Sequence, residues 1–155
     1  MSNWIKTYGR LDYRAPRDNK RSDGDWLVMK ADLGIALYYH KMVLKNLFNP
    51  FDQTPSPQNV SCPIHPHVTI LDGRERVNNQ YRKLIGKYQN EKVEIEYSND
   101  IRLFWRFLIL PVRCKLFDNI RSELGLGKMK APYHLTIGKI ETPNTNSELS
   151  RCLNI

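Results

Sequence analysis

The sequence predicts an α+β domain, mainly antiparallel, built from two similar halves. Three observations carry this. Short runs that alternate in polarity, or are apolar throughout, are separated by stretches with helical spacing. The strings HVTI (67–70) and HLTI (134–137) repeat one pattern, His-x-Thr followed by an apolar residue, 67 residues apart. Each string ends a segment that reads strand, helix, loop, strand.

The elements follow in chain order. Residues 1–24 are polar and broken by turn formers, as in YRAPRDNKRSDGD, and read as a basic loop or mobile arm. Trp4, Tyr8 and Tyr13 are interleaved there with Lys6, Arg10, Arg14 and Arg17. Such a mixture stacks on bases and holds phosphates, or it simply pins the arm to the core. Tyr13 is the arm's candidate substrate contact. DWLVMKA (25–31) reads as a strand. LGIALYYHKMVLKNLF (33–48) reads as a helix whose Ala36, Val43 and Leu47 share a face with His40, read as a hydrogen-bonded, partly buried histidine. NPFDQTPSPQN (49–59) is a loop, and HVTIL (67–71) a short strand.

ERVNNQYRKLIGKY (75–88) gives a second helix, with Val77, Tyr81, Leu84, Ile85 and Tyr88 on one stripe. KVEIEY (92–97) alternates as a half-buried strand does. IRLFWRFLILPV (101–112) is apolar on both faces and reads as one central strand, with Trp105 under the helices. KLFDNIRSELGLG (115–127) is a helix that buries Leu116, Phe117, Ile120 and Leu124 and stops at Gly125 or Gly127. YHLTIGKI (133–140) is the last strand. The organisation is thus an arm (1–24), one domain (25–141) and a polar tail (142–155). Two strand-helix-strand units packed about a pseudo-twofold axis bring both His-x-Thr strings to one central cleft.

The charge is +8, from 24 Lys and Arg against 16 Asp and Glu. That excess points to an anionic partner, nucleic acid, nucleotide or membrane surface, or serves solubility alone. No uncharged apolar run approaches the roughly 20 residues of a membrane span, so no membrane partner is expected. Cys62, Cys114 and Cys152 are odd in number and form no CxxC, so they read as reduced thiols and the protein as cytoplasmic.

Side chains at i and i+2 of a strand share a face. His67 therefore lies with Thr69, and His134 with Thr136. Histidine acts as base or acid near neutrality. One imidazole can take a proton from a nucleophile while the other gives one to the leaving oxygen. The two hydroxyls can hold the non-bridging oxygens of a phosphate as charge builds. This chemistry suits a ribose phosphodiester and needs no metal or cofactor. Cys62, His65 and His67 also allow a zinc reading, but Pro63 and Pro66 restrict that stretch and zinc leaves both threonines without a role.

The paired HVTI and HLTI strings resemble the signature of the 2H phosphoesterase, or LigT-like, superfamily. The resemblance covers roughly residues 25–140. It implies a bilobal pseudo-twofold fold, metal-independent phosphodiester chemistry, and His67, Thr69, His134 and Thr136 as catalytic residues. It further implies a small nucleotide substrate, cyclic oligonucleotide signals of the kind phage anti-CBASS nucleases cut, in host cytoplasm if the chain is viral. The alternatives are an RNA-processing 2′,3′-cyclic or 2′-5′ phosphodiesterase, or a non-catalytic nucleotide-binding module of the same fold. No protein partner is evident. Arg106, set in an apolar strand, either opens into the cleft to meet phosphate or reaches solvent at a strand edge. Tyr133, Arg74 and Lys139 flank the two strings and complete the candidate substrate contacts with Tyr13.

Overall fold

A computed structural model describes residues 3–14, 24–47 and 60–140. The expectations for the basic end of the arm, the loop at 49–59 and the polar tail lie outside the described residues. Among the described residues, eight strands and three α-helices follow one another: β1 (Trp4–Arg14), β2 (Trp26–Lys30), α1 (Leu33–Leu47), β3 (Val60–Ser61), β4 (His67–Leu71), α2 (Asn79–Ile85), β5 (Lys92–Ser98), β6 (Arg102–Phe104), β7 (Phe107–Arg113), α3 (Lys115–Glu123) and β8 (His134–Ile140). The class is α+β, with an open, fully antiparallel sheet.

The strand order is β3-β8-β7-β5-β1-β2-β4, with β6 also paired to β7. It falls into two four-stranded halves, β5-β1-β2-β4 and β6-β7-β8-β3. They join through two registered pairs, Glu96↔Arg113 and Tyr97↔Val112. One face of the sheet meets the core. The other is polar and carries Lys6, Tyr8, Arg10 and Arg14 of β1 in exposed positions.

β1 corrects the reading of residues 1–24 as an arm, because Trp4–Arg14 pairs with both β2 and β5 at the middle of the sheet. Its buried residues are Gly9 and Leu11. The alternation is hard to see because a glycine and a threonine occupy core-side positions. Glycine is needed there: a Cβ on residue 9 would sit 2.5 Å from the Lys30 carbonyl oxygen and 2.7 Å from the Met29 side chain.

The expected central strand at 101–112 is instead a hairpin, β6 and β7 joined by Trp105 and Arg106. An apolar run looks the same whether it makes one buried strand or two strands paired with each other. Trp105 turns the chain at φ +58°, a conformation glycine ordinarily supplies. Its side chain is 80% exposed, so it does not pack under the helices. α2 starts later than its stripe implies. Residues 72–75 make a turn closed by Glu75 N–H on the Asp72 carbonyl, and the Asn78 side chain then caps the helix by accepting from Gln80 N–H.

A repeat beyond the two strings becomes visible in three dimensions. An offset of 81 positions lays β2 on the first five residues of β7, and residues 34–42 of the longer α1 on the whole of α3. α1 buries Ala36, Tyr39, His40 and Val43, and the same four places on the other side are the buried Phe117, Ile120 and Arg121 of α3 and Leu124, which caps its C-terminus. Both sets follow the i, i+3, i+4, i+7 stripe of an amphipathic helix. Asp32 caps α1, accepting the Gly34 N–H at 2.7 Å, and Gly125 at φ +70° ends α3. Among the described residues, no helix is long and apolar enough to cross a membrane.

Candidate active site

β4 and β8 open on the two histidines and sit in their halves in the same way. β4 pairs with β2 through Lys30↔His67, Met29↔Val68 and Val28↔Thr69. β8 pairs with β7 through Pro111↔His134, Leu110↔Leu135 and Ile109↔Thr136. A matching backbone bond flanks each histidine: Ala31 N–H donates to the Pro66 carbonyl (3.1 Å) and Val112 N–H to the Tyr133 carbonyl (2.8 Å). Val68 and Leu135, between histidine and threonine, are fully buried. The His and Thr side chains therefore occupy the polar face, His67 exposed and the other three half-buried. Val28 and Ile109, opposite the two threonines, are 3% and 2% exposed and floor that face beside each hydroxyl.

After each threonine the register slips by one. Leu27 pairs with Leu71 and Leu108 with Gly138, which leaves Ile70 and Ile137 without opposite numbers. The fourth letter of each string is thus a β-bulge, a device that bends a strand and re-aims its side chains. It also moves Lys139 onto the polar face, opposite Phe107 and one row beyond Thr136.

The imidazoles are held alike. His67 Nδ1 lies 2.9 Å from the His65 carbonyl oxygen, and His134 Nδ1 lies 2.8 Å from the Pro132 carbonyl oxygen. A carbonyl only accepts, so Nδ1 carries the proton in both rings. Nε2 is left as the basic nitrogen when the ring is neutral, and as the acid when the ring is charged.

The bulge carbonyls are held across the two halves. His40 of α1 donates from Nδ1 to the Ile137 carbonyl at 3.1 Å, and Arg121 of α3 donates from its guanidinium to the Ile70 carbonyl at 2.8 Å. Arg121 is 3% exposed and also grips Glu75 through both carboxylate oxygens, at 2.6 and 2.9 Å. That grip holds the Glu75 carboxyl below its ordinary pKa, while burial pushes His40 down. The crossing is possible because α1 packs against β8 and α3 against β4. β4 and β8 themselves approach within 8 Å, Cα to Cα, although no hydrogen bond joins them.

The other candidates are placed less uniformly. Tyr13 has its hydroxyl on Asp25 (2.7 Å), which also binds Arg82, and burial with that bond raises its pKa to about 12. Tyr13 is opposite Leu27, which is buried on the core side, so it is not brought to the histidines. Tyr133 faces away from His134, edge-on to Phe117 and donating to Asp118 at 3.0 Å; burial is the main cause of its raised pKa. Arg74 lies past the far end of β4 from His67, its guanidinium on Asp72 at 2.6 Å. Arg106 sits in the hairpin turn, where its carbonyl accepts from Ile140 N–H, and is not a strand-face residue opening on a cleft. Among the described residues, no three of His, Cys, Asp and Glu gather in a way that could hold a metal ion.

Several neighbours of the motifs are not evident in the sequence. The Phe104 ring is 5.5 Å from the His134 ring, centroid to centroid. Arg102 is opposite Ile109, in one row with Thr136. Lys30, Arg10 and Lys92 run in a row from His67. They become visible only once strand order is known, because rows across a sheet join residues far apart in sequence. Compared with protein-family models, curated proteins and solved structures, the chain matches none.

Proposed function

We propose that the protein is a metal-independent phosphodiesterase of small ribonucleotide substrates, cyclic oligonucleotides before 2′,3′-cyclic or linear RNA ends. The observation that carries the reading is the identical fixing of His67 and His134. Each spends Nδ1–H on a carbonyl two residues earlier and keeps Nε2 for chemistry.

The reaction needs only groups already described. One Nε2 takes the proton of a ribose 2′-hydroxyl or of water. That oxygen bonds to phosphorus as the bond to the leaving oxygen breaks. The second imidazolium gives its Nε2 proton to the leaving oxygen. Thr69 and Thr136 donate to the non-bridging oxygens, where charge develops. Phe104, beside His134, offers an aromatic face to a base. The doubled tautomer also favours catalysis over a binding module, since binding alone does not require both rings to present Nε2.

The test is incubation with 2′,3′-cyclic nucleotides, short RNAs, and cyclic di- and trinucleotides in excess EDTA, read by mass spectrometry. Cleavage of at least one substrate is expected, with His67→Ala and His134→Ala each slower by about 10²–10⁴-fold. Wild-type rates in both alanine variants, or no product from any substrate, would sink the proposal.

A further inference from the structure

The polar face carries a charged row that the proposed chemistry does not use. Registered pairing places Lys92 of β5 opposite Arg10 of β1, Arg10 opposite Lys30 of β2, and Lys30 opposite His67 of β4. Directly opposed residues point to one side of a sheet, so the three cations and the imidazole share a line across four strands. At a strand spacing of about 4.8 Å, they lie roughly 5, 10 and 14 Å from His67 along the backbone. Tyr8, Gly9, Arg10, Lys30 and Lys92 line a shallow hollow of about 390 Å³ on this track, together with Ala31 and Asp32, whose carboxylate accepts the Gly34 N–H at the start of α1.

What separates this row from an ordinary solvated face is how its charge is balanced. Elsewhere on the same face, Lys6 is paired with Glu94, Arg113 with Glu96 and Arg102 with Asp100. Lys30 and Arg14 share Asp12. Arg10 and Lys92 meet no carboxylate among the described residues. Neutral groups hold them instead. Arg10 donates to the Asn90 carbonyl at 3.2 Å, and the Lys92 ammonium stands 4.4 Å from the Tyr8 ring centroid. Such partners orient a cation without cancelling its charge.

We propose that Arg10 and Lys92, with Lys30 between them and His67, form a subsite for a backbone phosphate other than the one that reacts. This rests on the phosphodiesterase reading and narrows it: the substrate is an oligonucleotide with at least two phosphates, laid from the His67 end of β4 across β2 and β1.

Binding of a non-cleavable probe, a labelled 2′-O-methyl RNA hexanucleotide, measured against sodium chloride, tests the subsite separately from turnover. Each phosphate contact on a single strand adds about 0.7 to the slope of log affinity against log salt. The double variant R10Q/K92Q should therefore lose about 1.4 from the wild-type slope, with folding checked by thermal melting. K41Q/K83Q, which removes exposed cations from α1 and α2, should keep that slope. An unchanged slope in R10Q/K92Q, or an equal loss in K41Q/K83Q, overturns the subsite. If the slope falls as expected while wild-type protein cleaves nothing on the nucleotide panel, the subsite stands and the catalytic reading fails.

Discussion

His40 and Arg121 occupy the same place in two helices, 81 residues apart, and each donates to the bulge carbonyl of the other half's motif strand. The bulge positions the end of each His-x-Thr string, so these two buried side chains are its supports from behind. Their chemistry differs, and so do the consequences of removing them.

Arg121→Met takes the guanidinium from the Ile70 carbonyl and leaves the Glu75 carboxylate with the Asp72 N–H but no cation. Breaking a buried ion pair in this way costs about 3–5 kcal/mol, and a loss toward the lower end is expected because Glu75 keeps some solvent. Urea unfolding measures it. Adding Glu75→Gln to Arg121→Met should recover part of the loss. A double variant no better than the single would show that the pair is not the source.

His40 makes stability depend on pH. Burial depresses its folded pKa below the ordinary 6.5, so the unfolded chain binds the proton more readily. Stability is full above about pH 6.5 and falls as pH drops below it. The carboxylates held down by Arg and Lys partners lose their contribution only at lower pH. His40→Gln should flatten the curve just below about pH 6.5, seen in melting temperature as the pH is lowered through that region. A slope there unchanged by the substitution would rule His40 out as its cause.

Thr69→Val and Thr136→Val keep a β-branched side chain in the strand and remove only the hydroxyl. If the hydroxyls bind the transition state, each variant should lose about 10²–10³ in turnover with an unchanged melting profile. A change confined to stability would make the threonines structural.

Trp105→Gly should stabilise the protein. A left-handed residue with a side chain costs about 1–2 kcal/mol over glycine, and little burial is lost from a tryptophan 80% exposed. A gain of about 1 kcal/mol in urea unfolding is expected, and a loss would mean that the ring packs more tightly than its exposure implies.

Much of this was legible in the sequence because it is local. β4 matches HVTIL residue for residue, and period-two geometry put His67 with Thr69 and His134 with Thr136. What was not legible depends on pairing. β1 hid behind Thr7 and Gly9, the second kept small by Lys30 and Met29 on the neighbouring strand. The β6–β7 turn hid inside an apolar run because Trp105 holds a conformation its residue type disfavours. The cation row hid because Arg10, Lys30, His67 and Lys92 are neighbours only across strands.

Each helix also carries the polar residue that completes the opposite half. A fragment containing β2, α1 and β4 would expose His40 and leave the Ile70 carbonyl uncapped. A fragment containing β7, α3 and β8 would strand Arg121. The halves are therefore not separable modules. One cooperative unfolding transition is expected for the two together, since each unit relies on a helix of the other to hold its bulge carbonyl.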